Sequence, residues 1–123
     1  MFLLPETVAR QDGVGAQVEV DFKVVKLTLG ITRIIAQESL EVSICGSADG
    51  EHWEPLKAFP HKFYCGTYSM VVDLSRSSDV RYLRAEWKMG RWRLDEQSPL
   101  FEFYLRVEDA LLQQTGKVAA YAI

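Results

Sequence analysis

Apolar and polar residues alternate along most of this chain, with a period of two rather than the 3.6 of a helix. Val18, Val20 and Phe22 alternate with Glu19 and Asp21. Val25, Leu27, Leu29 and Ile31 alternate with Lys26, Thr28 and Gly30, and Leu40, Val42 and Ile44 with Glu41, Ser43 and Cys45. Tyr68, Met70, Val72 and Leu74 enclose Ser69 and Asp73, and Leu83, Ala85 and Trp87 enclose Arg84 and Glu86. Phe101, Phe103, Leu105 and Val107 complete the series, with Glu102, Tyr104 and Arg106 between them. Strands of this kind bury one face and pair antiparallel. The pattern predicts an all-β, antiparallel two-sheet β-sandwich of jelly-roll type, with about seven or eight strands. A slip of phase between Phe22 and Val25 predicts a bulge or bend there.

Turn chemistry falls between the runs. Asp12-Gly13-Val14-Gly15 reads as a turn, and Ser47-Ala48-Asp49-Gly50 as a hairpin turn. Pro60, Gly66, the stretch from Ser75 to Asp79, Gly90 and Ser98-Pro99 mark further breaks. Ile34 to Ser39 reads as a loop or a short helical turn. Val107 to Gln114 has helical propensity, with Gly116 as its stop. The small apolar tail Val118 to Ile123 is suited to fray, to add an edge strand or to dock on a neighbouring subunit.

Composition narrows the field. The chain has 123 residues, 48% hydrophobic and 25% charged, with a net charge of -3. That size suits a single domain over residues 1–123 with a core large enough to need no staple. The acidic balance argues against duplex nucleic acid as a partner. No window approaches the apolar length of a membrane span. The start, Met-Phe-Leu-Leu-Pro-Glu, has neither the basic residue nor the long apolar core of a signal peptide. A cytoplasmic protein with no membrane partner is the expectation. In that compartment Cys45 and Cys65 are expected as reduced thiols. Their spacing, with His52 and His61 the available histidines, fits no zinc pattern, so neither a metal nor any other cofactor is expected.

One stretch has a more specific shape. Leu40-Glu-Val-Ser-Ile-Cys-Gly-Ser-Ala-Asp-Gly-Glu-His-Trp53 is a strand, an Asp-Gly turn and a Trp three residues on. Ser69 to Leu74 and then Val80-Arg-Tyr-Leu-Arg-Ala-Glu-Trp87 follow it. Together they resemble the middle of a discoidin-like (coagulation-factor C-type, galactose-binding-like) domain over Leu40 to Trp87. The resemblance implies a β-sandwich in which these residues build the fold. Asp49-Gly50 would reverse the chain, Trp53 would fill the sandwich end, and Arg81 or Arg84 would pair with sheet-edge carbonyls or with carboxylates such as Asp73 and Asp79. The family's N-terminal ligand spikes and terminal cysteines have no counterpart here, so its ligand loops cannot be carried over.

Two loops hold the candidate contact residues. Arg91, Trp92 and Arg93 lie in a polar connection, where Trp between arginines suits a protein surface or a sugar ring. His61, Phe63 and Tyr64 lie in the aromatic segment Ala58 to Gly66, which either covers the core or forms a recognition loop; covering the core is the favoured expectation. No catalytic motif appears: the histidines lack a nucleophile setting, and G-x-S-x-G, HExxH and P-loop patterns are absent. The sequence thus points away from an enzyme. It points to a binding module for a glycan or protein, with a structural subunit of a homo-oligomer or virion-like particle as the alternative.

Overall fold

The computed structural model describes residues 1–35, 39–62, 64–76, 79–89 and 100–110. Within them the chain forms nine strands and one short 3-10 turn at Leu74–Arg76. The strands are β1 (Phe2–Ala9), β2 (Gly13–Val14), β3 (Val18–Glu19), β4 (Val24–Ile35), β5 (Leu40–Ser47), β6 (Glu54–Ala58), β7 (Gly66–Asp73), β8 (Tyr82–Met89) and β9 (Leu100–Asp109). One sheet has the order β1-β9-β4-β7. The other has the order β2-β8-β5-β6, with β3 also paired to β8. All pairings are antiparallel, and the two sheets pack face to face as a β-sandwich.

The alternating residues supply the interior. Val25, Leu27 and Leu29 of β4, Val42 and Ile44 of β5, Leu83 and Ala85 of β8, and Phe101, Phe103 and Leu105 of β9 are all fully buried. The sheets meet where Trp87 of β8 stands edge-on to Phe103 of β9, with ring centroids 5.5 Å apart and planes at 79°. Truncating a ring of this kind to Ala costs about 3–5 kcal/mol, a large share of the about 5–15 kcal/mol that stabilises a small fold.

Three local expectations are corrected and a fourth is met. Gly13-Val14 is not a turn: it is strand β2, in register with Trp87 and Glu86. A Cβ on Gly13 would overlap the Trp87 indole, so this close approach requires glycine. The helix expected from Val107 does not begin there, because β9 continues through Asp109 in register with Val25; Ala110 is helical, and residues 111–116 lie outside the described residues. Ile34 and Ile35 are the last residues of β4 rather than a loop. The bend expected between Phe22 and Val25 is present at Lys23, where the chain leaves one sheet for the other, from β3 beside β8 to β4 beside β9.

The register sorts the connections by end. Ala9 pairs with Phe101, Ile35 with Leu100, Leu40 with Met89 and Ile31 with Gly66. The strand ends joined by the β1–β2, β4–β5, β6–β7 and β8–β9 connections therefore all lie at one end, and in each case the two strands belong to different sheets. The opposite end carries the β3–β4 and β7–β8 connections and the β5–β6 hairpin turn.

Candidate functional site

The crossover end brings the aromatic loop, residues 59–65, beside the start of β5. Phe59 is its root: the side chain is buried and its N–H donates to the Val42 carbonyl at 2.9 Å. Three residues on, Leu40 and Lys62 exchange both backbone hydrogen bonds, each 2.9 Å. The Lys62 ammonium stands 4.0 Å from the centroid of the Tyr68 ring. The Tyr68 hydroxyl in turn donates to the Tyr64 carbonyl at 2.9 Å. His61 Nε2 lies 2.8 Å from Glu41 Oε2 on β5. The loop is thus tied at Phe59, His61, Lys62 and Tyr64, and the Tyr64 side chain is left 71% exposed.

On the far side of this sheet, the β1–β2 connection shapes an open cleft of about 610 Å³ lined by Val8, Arg10, Val14 and Trp87 among others. Trp87 Nε1 donates to the Gln11 carbonyl at 3.0 Å, and the Met89 N–H donates to Asp12 Oδ1 at 2.8 Å. Asp12, Met89, Leu40 and Lys62 therefore follow one another across the rim, each bonded or paired to the next.

Of the residues predicted to make contacts, His61 and Tyr64 stand exposed at this rim. The expected burial of the aromatic segment holds for Phe59 and fails for these two, because the Leu40–Lys62 bridge turns the chain away from the core after Pro60. Phe63, Arg91, Trp92 and Arg93 lie outside the described residues, as does the tail 118–123. The strands flanking the 90–99 segment, ending at Met89 and starting at Leu100, terminate at this same end. Lys62 and Gln11 were not singled out from sequence, and Glu41 and Asp12 were read there only as a strand charge and a turn residue. Glu41 carried a signal as an outward residue of β5, but its partner His61 is 20 positions away and only the fold joins them.

Two further polar groups lie elsewhere. At the opposite end, Asp49 organises the β5–β6 turn, where Gly50 takes a φ of +80°. Asp49 Oδ1 accepts from the N–H groups of Glu51 (2.8 Å) and His52 (2.9 Å), and Oδ2 sits 2.7 Å from His52 Nδ1. These bonds hold the Asp49 carboxyl well below the usual carboxylate range and raise the His52 imidazole. Asp49, Glu51 and His52 place their ligand atoms within 4.8 Å of one another, but all three residues are exposed and Asp49 already serves the turn. On the outer face of β8, Arg84 does not reach Asp73 or Asp79. Its Nη2 donates to Glu86 Oε1 at 3.2 Å, and its guanidinium covers Trp53 at 4.3 Å from the ring centroid. Trp53 therefore packs on that face and does not fill the sandwich end. Cys45, buried beside it, donates to Glu86 Oε2 at 2.7 Å. Burial, then the hydrogen bond and charge of Glu86, push this thiol up to about 12. Both cysteines are free, and Cys65 is exposed.

No protein-family model, no curated protein and no solved structure matches this chain.

Proposed function

We propose that this chain is a non-catalytic binding module that holds a protein or glycan partner at its crossover end. One observation carries the reading: Tyr64 is an exposed ring on a loop that is fixed by bonds at four places. A tyrosine presented in this way offers a large flat surface and a hydroxyl. Because the loop is already ordered, little conformational entropy is lost on contact. The face of a sugar ring and the apolar side of a peptide both stack on such a ring. The expected role of Arg91, Trp92 and Arg93 belongs to the same proposal, since their segment joins two strands that terminate at this rim. The discoidin-like resemblance is compatible with strand-end recognition and adds no ligand of its own.

The test is an NMR titration of the labelled chain against a panel of oligosaccharides and against proteins captured by the tethered chain. Shift changes are expected at His61, Lys62, Tyr64 and Glu41. Changes confined to the Asp49–His52 turn at the opposite end would refute the reading.

A further inference from the structure

Each sheet of the sandwich has two edges, and the four are not defended alike. β1 carries Pro5 and two irregularities of register against β9. The β2 and β3 edge consists of two-residue pieces. β6 is five residues long, contains Pro55 and pairs with β5 through a bulge. Short strands, prolines and bulges are the devices by which natural sheets block a further strand. β7 has none of these three, and its one guard among the described residues is the Lys57 ammonium on the Val71 carbonyl. It pairs with β4 over eight consecutive residues, from Gly66 with Ile31 to Asp73 with Val24, without a shift. Its sequence, Gly-Thr-Tyr-Ser-Met-Val-Val-Asp, has no proline and no charge before its last residue. Among the described residues no strand lies on its other side.

The direction of its free backbone groups follows from two contacts. The Leu74 N–H donates inward to the Lys23 carbonyl at 2.7 Å, whereas the Val71 carbonyl accepts from Lys57 Nζ at 3.2 Å on the outer side. Backbone groups of Thr67, Ser69 and Val71 thus point away from β4, and the side chains of all three are exposed. We propose that β7 pairs antiparallel with β7 of a second copy of this chain, joining two four-stranded sheets into one of eight strands. The strand is self-complementary about Met70: Thr67 faces Asp73 of the second copy and Ser69 faces Val71, so no like charges meet. The two-fold is closed, so association stops at the dimer. Lys57 is displaced from Val71 as the strands meet. This interface is independent of the crossover end.

The experiment is solution mass by light scattering, over a concentration series reaching about 100 μM, of the full chain and of two variants. Ser69→Pro removes an outward N–H and leaves the β4 ladder its bonds. Val71→Lys places a charge on the edge. The wild type is expected at twice the monomer mass at the upper concentrations, and both variants at the monomer mass with an unchanged melting temperature. If Ser69→Pro does not fold, Val71→Lys alone decides. A wild type that stays monomeric throughout overturns the proposal. So does a dimer that persists in Val71→Lys, including one lost only when residues 111–123 are removed. The variant Tyr64→Ala keeps the dimer whatever becomes of ligand binding, so the two proposals fail separately.

Discussion

Leu40 and Lys62 exchange two backbone hydrogen bonds of 2.9 Å, and this bridge is one of the ties that hold the exposed aromatic loop against the sandwich. Lys62→Pro deletes one of the two. A hydrogen bond of this kind contributes about 1 kcal/mol, so the melting temperature should fall only by a few degrees. The loop itself should loosen, and chymotrypsin should cut at Tyr64 faster than in the wild type. Equal cutting rates would show that the other ties are sufficient.

Tyr104 of β9 lies over Gly30 of β4, its direct partner in the ladder, and a Cβ on Gly30 would overlap the ring. Phe2 meets the other part of that ring edge-on at 6.1 Å. Gly30→Ala should therefore destabilise by about 1–3 kcal/mol, the usual cost of overpacking. In a Tyr104→Ala background the same change should cost much less, because the obstructing ring is gone. Denaturant unfolding of the four proteins measures the difference; additive effects would contradict the contact.

Asp49 and His52 give the β5–β6 turn a charge pair with a defined pH window. His52 is raised above its ordinary 6.5 by the hydrogen bond and charge of Asp49, so its contribution is full below that value. It is lost as pH rises through the raised value. Asp49 is lowered from its ordinary 3.8, chiefly by bonds from His52 and Glu51, so its contribution is full above 3.8 and lost as pH falls through the lowered value. The turn is tightest between those limits. NMR titration of His52 should show its midpoint falling in Asp49→Asn, and an unmoved midpoint would rule the pair out.

The two thiols should differ sharply. The thiolate is the reactive species, and Cys45 is buried, bonded to Glu86 and pushed up to about 12. Cys65 is exposed. Ellman's reagent at neutral pH should therefore label one thiol quickly in the native chain and the second only on unfolding. Cys65→Ser should abolish the fast phase. Two fast thiols would show that the Cys45 region opens readily.

The strands that alternate cleanly are legible in the sequence: β4, β5, β7, β8 and β9 each present one apolar residue in two to the core. β1 was not, because its register shifts bury the adjacent Leu3 and Leu4 and so break the alternation. β2 hid behind Gly13, which reads as turn chemistry but serves the close approach to Trp87. β6 offers a single inward apolar residue, Leu56, too few to show a period. Val107 belongs to an alternating run but also opens the stretch of helical propensity to Gln114; pairing of Glu108 and Asp109 with Lys26 and Val25 overrides that local preference. At the candidate site, residue type alone did not separate the buried Phe59 from the exposed Tyr64. The separation comes from which backbone groups bond to β5, and that information is long-range. The Glu41–His61 contact was hidden for the same reason.

The most direct test of the crossover end as the binding surface is the affinity of the wild type and of Tyr64→Ala for the ligand that emerges from the oligosaccharide and protein screens, measured alongside their melting temperatures. An exposed side chain adds little to stability, whereas an aromatic anchor removed from an interface costs about 2 kcal/mol or more. The account predicts binding weakened by about thirtyfold or more with the melting temperature unchanged. Binding of equal strength in the two proteins would contradict it.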